Sequence, residues 1–311
     1  MYPSAEDAHV RWHYACAAQA HASAGQVEEV GASLGQLMRT VIGTGVETFV
    51  ATAGRALESN ALPPAEHRPW PLPREPWVMA QGWHNMLFVH WPVPPAALRR
   101  LVPAGVVLDT YEGIAWLGVT AFVVANARIR GVPAVPGLST FAEVNLRTYV
   151  TTDDKPGVLF VSLDAASVAA VLGARAWFRL PYFIAAGQME PREGWLRFTS
   201  RRDHPGAPPA RFSARYRASP RRRVPGGAGL TRWLVERYCL YCAADGALLR
   251  AEIHHEPWPI EAAEAVIEDN TLPDAADLRV QDEDALLHFS RGVDAVVWPP
   301  RVIERSGRAT A

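Results

Sequence analysis

Lysine is almost absent from this 311-residue chain: of its 31 lysines and arginines, only Lys155 is a lysine. An enzyme working through a lysine imine would have to use that residue, which excludes most lysine chemistry before any fold is considered. Cysteine is nearly as scarce, and three residues (Cys16, Cys239, Cys242) are too few and too odd in number for a secreted disulfide framework. Long apolar runs are missing too. The most apolar stretch, residues 41–57, is interrupted by Glu47 and Arg55 and is too short to span a bilayer. The opening MYPSAEDAHVRWHYACAAQ lacks a basic segment followed by an apolar one, so no signal peptide is expected and the expected compartment is cytoplasmic. Neither sign of charge dominates: 31 basic against 32 acidic residues leave a net charge of −1. Nothing in that balance favours nucleic acid or an anionic membrane as a partner.

What is present is enough apolar material, 49% of residues, to build a real core. Composition changes near residue 60. Residues 1–60 hold one proline, and Leu34, Met38, Val41, Gly45, Phe49, Ala53 and Ala56 recur at helical steps of three or four. This predicts a helical extension, read as a packing or homo-oligomer arm, with a lid or partner-binding module as the other reading. Residues 61–76 (LPPAEHRPWPLPREPW) read as a largely extended Pro-rich linker, residues 77–305 as the main domain, and residues 306–311 as a tail. In the main domain, strands are expected at 86–91, 114–125, 141–150, 158–163, 195–200, 210–218, 237–242 and 247–254. A helix is expected at 165–178 with Asp164 as its N-cap, and a shorter one at 95–101. Many strands and few helices predict a mainly β fold, an antiparallel barrel or sandwich. The Arg-rich stretch at 219–229 reads as a mobile loop.

Side chains alternate along a strand, so Glu143, Asn145, Arg147 and Tyr149 share one face of AEVNLRTYV and Val144, Leu146, Thr148 and Val150 the other. A carboxylate, an amide, a guanidinium and a phenol in a row make either a solvated edge or the wall of a polar cavity. Asp245-Gly246 signals a tight hairpin, which sets Cys239 opposite Glu252, Tyr241 opposite Arg250 and Arg237 opposite His254 on a second polar face. If both faces line one interior, its charges would be tuned at low dielectric for binding or catalysis.

Cys239 and Cys242 stand three apart on a strand and therefore diverge, as do His254 and His255; neither pair meets the convergence that zinc needs. His84 and His90 flank a strand, where a lone histidine is more often hydrogen-bonded structure than a ligand. No nucleophile elbow, phosphate loop or dinucleotide fingerprint occurs in a strand–helix context, so neither a metal nor an organic cofactor is expected.

Several uncommon segments occur together and in order: RPWPLPREPWVMAQGWHNMLFVHW (68–91), PGLSTFAEVNLRTYV (136–150), SRRDHPGAPPARFSARY (200–216), ERYCLY (236–241) and EIHHEPWPI (252–260). Over about residues 68–305 the chain resembles the bacterial YqjF-like family of uncharacterised proteins, within the acetoacetate decarboxylase-like superfamily. That resemblance implies a closed antiparallel β cone around a ligand cavity. It also places Tyr182 and Phe183 where the decarboxylase carries its two lysines, since the comparable stretch reads Arg179-Leu180-Pro181-Tyr182-Phe183. Tyrosine forms no imine, and Lys155 lies in a DDKPG turn signature where a solvated lysine is expected. The same resemblance sets His84 at the superfamily's cavity arginine and Glu143 at its glutamate.

Two readings follow. In one, the protein is a cofactor-independent enzyme of lyase, dehydratase or isomerase type acting on a small carbonyl or carboxylate compound. Glu143 would be its acid or base, Arg147 would pair with a carboxylate or enolate, and Tyr182 and His84 would donate hydrogen bonds. Asn145, Tyr149, Tyr241, Arg250, Glu252 and His254 would line the binding site. In the other, the barrel binds a small molecule without turning it over.

Overall fold

The computed structural model describes residues 62–103, 105–220, 224, 229–244, 246–281 and 285–305. The expected helical extension at 1–60, the tail at 306–311, Asp245 of the hairpin and most of the 219–229 loop lie outside them. The elements below belong to one compact unit, residues 63–130 and 134–311.

The strands are β1 (Met79–Val93), β2 (Val107–Leu108), β3 (Ala115–Ile129), β4 (Phe141–Thr152), β5 (Lys155–Ala165), β6 (Tyr182–Arg192) and β7 (Trp195–Arg202). They continue with β8 (Arg211–Ala218), β9 (Cys239–Ala244), β10 (Ala247–His255), β11 (Ile260–Asn270), β12 (Leu286–Val297) and β13 (Arg301–Arg305). Three short helices interrupt them: α1 (Pro95–Arg99), α2 (Val168–Trp177) and α3 (Leu230–Val235). All eight expected strands are present, and both expected helices begin and end within a few residues of expectation. Asp164 does not cap α2. Ser167 does, its hydroxyl accepting from the Ala170 amide at 3.3 Å, because Asp164 remains in β5 and is held there by Arg202.

The barrel is closed and mixed rather than purely antiparallel. β12, β1, β3, β4 and β5 pair in that order as a five-strand antiparallel wall. One end of β5 pairs in parallel with β9, and through β10 the chain returns to β12. The other end of β5 pairs in parallel with β6, and through β7, β8 and β11 it also returns to β12, closing a nine-stranded ring. Closure leaves no unpaired edge along the shared wall.

A wall covered on both sides must bury both of its faces, and the alternation along it shows this. Leu87, Val89, Val144, Leu146 and Val161 face a core shared with Phe198, Phe212 and Tyr216 of β7 and β8. Phe88, Phe122, Tyr149 and Leu163 face a second core, shared with Leu240 and Cys242 of β9, Ala251 and Ile253 of β10, and Phe178 and Leu234 beside α2 and α3. Burying a side chain of this size contributes about 1.5–3 kcal/mol, so a one-residue slip of β4 would exchange the two sets and lose both cores.

The Pro-rich stretch is fastened to the barrel by side chains. Arg68, with a fully buried side chain, donates to the Ile253 carbonyl and at 3.1 Å to Glu252 Oε2; Trp70 Nε1 donates to the same oxygen at 2.9 Å. Trp298 Nε1 donates to the Glu75 carbonyl at 2.7 Å. Lys155 is not a solvated turn lysine either: its ammonium pairs with Glu252 Oε1 and lies 5.4 Å from the Trp70 ring.

Candidate functional site

The second core is largely apolar, and most of the polar side chains in it are carried by the shared wall. Glu143, Asn145, Arg147 and Tyr149 all project into it from β4, so their face is the inner wall and not a solvated edge. Glu143 is 4% exposed. Its Oε2 accepts a hydrogen bond from the Tyr182 hydroxyl at 3.0 Å. Tyr182 opens β6, where the parallel pairing of Leu163 with Tyr182 brings it beside the end of β5. Burial raises the Glu143 carboxyl to about 8, against hydrogen bonds from Tyr182 and Asn145 that lower it, with Asp164 adding to the rise. Glu143 therefore holds its proton at neutral pH. Burial likewise pushes the Tyr182 phenol well above its ordinary value, with Glu143 reinforcing the shift.

Arg147 lies two rows further along the same face, with its guanidinium 5.5 Å from the Phe88 ring centroid and 6.0 Å from that of Tyr149. Its Nε has no hydrogen-bond partner among the described residues. Arg237, just before β9, stands 4.9 Å from the Tyr149 ring and forms an ion pair with Asp109 at 2.6 Å. Tyr149 Oη and His90 Nε2 are 2.7 Å apart. His90 is kept neutral by burial and by Arg147, and burial lowers His288 to about 4.

Around this group, buried polar atoms stand without partners among the described residues: His90 Nδ1, Trp116 Nε1, Thr120 Oγ1, Asn145 Oδ1, Arg237 Nη2 and His288 Nδ1. Each such group costs about 1–3 kcal/mol when nothing satisfies it. That concentration on and beside one wall is the strongest mark of a binding site among the described residues.

The hairpin residues lie elsewhere. The register matches the sequence reading, with Cys239 opposite Glu252 and Tyr241 opposite Arg250. The face that turns into the polar interior, however, is the apolar one of Leu240, Cys242, Ala251 and Ile253. Cys239 and Tyr241 pack outward against Val102, Val106, Val150 and Leu159. Tyr241 donates to the Lys155 carbonyl at 2.6 Å, Arg250 pairs with Asp153 at 3.2 Å, and Glu252 holds Arg68, Trp70 and Lys155. His254 Nε2 lies 3.0 Å from the Pro63 carbonyl, and its ring stacks on His67 at 5.5 Å. Glu252 and His254 thus hold the Pro-rich stretch while Tyr241 and Arg250 hold the turn before β5, and a groove of about 440 Å³ beside them is lined by Arg74, Lys155, Arg250, Glu252 and Arg301. His84 is also apart from the site. Its neighbour Trp83 faces inward against Phe122, His255 and Trp258, so His84 faces the other way, its ring over Gly82 and Gly292. Two functional candidates escaped the sequence reading. His90 follows Phe88 on the inner face of β1, a signal the alternation contained; His288 stands on β12, whose interruption by Gly292 obscured it as a strand. Among the described residues no group of three or more His, Cys, Asp or Glu is placed to hold a metal ion.

A family profile described as an uncharacterized conserved protein, DUF2071, matches residues 80–294. The chain belongs to the DUF2071 family. Its similarity extends to the uncharacterized protein YqjF of Bacillus subtilis (strain 168), 43% identical over 225 residues, covering 72% of this chain and 92% of that one. The fold is also that of solved enzymes. Acetoacetate decarboxylase from Legionella pneumophila aligns at a TM-score of 0.52 and 14% identity, over 79% of this chain and 98% of the other. The enduracididine biosynthesis enzyme MppR, in complex with pyruvate, aligns at a TM-score of 0.51 and 12% identity, over 76% and 94%. The wall that carries the polar set, β12 through β5, thus lies within a DUF2071 domain with an acetoacetate decarboxylase-like barrel. No helix among the described residues is long and apolar enough to cross a membrane.

Proposed function

We propose that this DUF2071 protein is an enzyme acting on a small carbonyl- or carboxylate-bearing compound by general acid–base chemistry, of the lyase, dehydratase or isomerase type. The observation that carries the reading is the Glu143–Tyr182 pair, a buried carboxyl that holds its proton to about pH 8, on the same inner face as Arg147, a cation with no ion pair among the described residues. Glu143 gives or takes the proton, Tyr182 turns its single hydroxyl hydrogen from that carboxyl to a developing oxyanion, and Arg147 anchors the substrate's carboxylate or enolate. A positioned acid or base contributes about 10²–10⁴-fold, and fixed donors aimed at developing charge add to it. A protein of the same fold was solved with pyruvate, a compound of this class. A lysine imine does not fit, because Lys155 is spent on Glu252 outside this interior.

A panel of short β-hydroxy and β-oxo acids, offered to the wild type and to Glu143→Gln, tests the reading. Turnover by the wild type that the variant loses supports it. Binding without turnover in both assigns the barrel to binding alone.

A further inference from the structure

The unpartnered polar atoms of the second core are not scattered. Strand pairing sets His90, Gly118 and Arg147 side by side across β1, β3 and β4, and His288, Phe88, Thr120 and Asn145 side by side in the adjacent row. From these two rows, His90 Nδ1, His288 Nδ1, Thr120 Oγ1, Asn145 Oδ1 and Arg147 Nε are all buried and without partners among the described residues. His90, Thr120, Asn145 and His288 are each no more than 3% exposed. Arg237 Nη2 and Trp116 Nε1 complete the group.

Most of these atoms are donors. The Tyr149 hydroxyl is hydrogen-bonded by Arg147 and feels the charge of Arg237 as well, so its hydrogen turns away from the cations toward His90 Nε2. That assigns the His90 proton to Nδ1, the atom left free. Trp116 Nε1, Arg147 Nε and Arg237 Nη2 carry hydrogens in any state. The charge count is equally specific: among the described residues Asp109 neutralises Arg237, both imidazoles are neutral, and Arg147 remains as one uncompensated positive charge. Gly118 lets the His90 and Arg147 side chains close over the strand between them. A Cβ there would stand 3.0 Å from His90 Cδ2 and 3.4 Å from Arg147 Cγ.

We infer that His90, Thr120, Arg147 and Arg237 form a subsite for one singly charged carboxylate group, with Gly118 sparing His90 and Arg147 a side chain that would crowd both. The inference rests on the acid–base reading and adds to it the ligand's anionic end and the residues that select it. A carboxylate supplies acceptor lone pairs to several donors and cancels the one free charge. Arg147 leans over Phe88, one row nearer Glu143 than its own Cα, and rows are about 7 Å apart along a strand. A carboxylate on Arg147 therefore presents the rest of a short molecule to the Glu143–Tyr182 pair. His90 acts as a positioning residue through Tyr149 as well as a donor.

Calorimetric titration of butanoate, with butanamide as its neutral isostere and inorganic phosphate as a more highly charged anion, tests the subsite in the full-length protein. Butanoate is expected to bind at least about tenfold more tightly than butanamide or phosphate, the difference expected for one charge-assisted hydrogen bond. Gly118→Ala and Arg147→Met are each expected to lose that preference. Arg147→Met is also expected to raise the melting temperature of the ligand-free protein, since it removes a half-buried charge that has no ion pair among the described residues, whereas a purely structural arginine would lower it. Equal binding of butanoate and butanamide, no binding of either, or a preference unchanged in both variants overturns the subsite. Glu143→Gln separates the two claims. Butanoate selectivity that persists while the wild type turns over no acid leaves the subsite standing and the acid–base reading fallen. Turnover that requires Glu143 with no carboxylate preference does the reverse.

Discussion

Tyr182 donates its hydroxyl hydrogen to Glu143 Oε2 at 3.0 Å, joining the start of β6 to the inner face of β4. The bond lowers the carboxyl against the larger upward push of burial. Tyr182→Phe removes it, so the carboxyl titrates still higher and the developing oxyanion loses a donor. Turnover is expected to fall about tenfold and stability by about 1 kcal/mol, the net worth of one hydrogen bond. Steady-state kinetics and urea unfolding of the two proteins check both numbers.

Glu143 also makes stability depend on pH with a definite sign. Unfolded, its carboxyl is ionised above its ordinary value near 4.5; folded, it keeps its proton to about 8. The unfolded chain therefore binds fewer protons in this window, and stability falls as pH rises, by up to about 1.4 kcal/mol per unit, levelling above 8. His90, His255 and His288, all lowered, act in the opposite sense but only below about pH 7. Urea unfolding between pH 7 and 9 is expected to show the decline in the wild type and a flatter curve in Glu143→Gln. Parallel curves would show that Glu143 is already ionised at neutral pH.

Arg202 and Asp164 form a buried two-bond pair at 2.6 and 2.7 Å, with the guanidinium 4.1 Å from the Phe183 ring. The pair ties β7 to β5 next to the Glu143 site. Arg202→Met leaves Asp164 buried and alone and is expected to cost about 3–5 kcal/mol. Adding Asp164→Leu to that variant is expected to restore most of the loss, which chemical denaturation of both proteins measures.

Glu252 binds Arg68, Trp70 and Lys155 on the outside of the hairpin. Glu252→Gln leaves the buried Arg68 guanidinium without its charge partner and is expected to lower stability by about 3 kcal/mol. Because this clamp faces away from the polar interior, butanoate binding measured below the unfolding transition is expected to be unchanged.

Much of the fold was legible in the sequence, and for one reason: side chains alternate with period two, and no bulge interrupts β4 between Glu143 and Thr148 on its β3 side. That regularity placed Glu143, Asn145, Arg147 and Tyr149 on one face correctly. Alternation does not say which face turns inward when both are covered. Tyr241, Arg250, Glu252 and His254 were therefore assigned to the interior although Leu240, Cys242, Ala251 and Ile253 occupy it. The strands at 182–192, 260–270 and 286–297 carried no strand signature because β6 and β11 are rich in Ala, Glu and exposed polar residues and β12 holds Gly292. His84, named from the resemblance alone, is turned from the inner face by a bulge: β1 shifts register between His84 and Leu87, with Asn85 at a φ of 53°. Pairwise rows such as His90–Gly118–Arg147 need three strands in register, which no linear pattern displays.

The central claim is that Glu143 moves a proton on a carbonyl compound. Exchange of carbon-bound hydrogen for deuterium in short oxo acids, followed by proton NMR in D₂O, measures that step without requiring the full reaction. Wild-type protein is expected to catalyse exchange next to the carbonyl, and Glu143→Gln to lose it by about 10²–10⁴-fold. Exchange at the same rate in both proteins, or its absence with an oxo acid demonstrably bound, would contradict the claim.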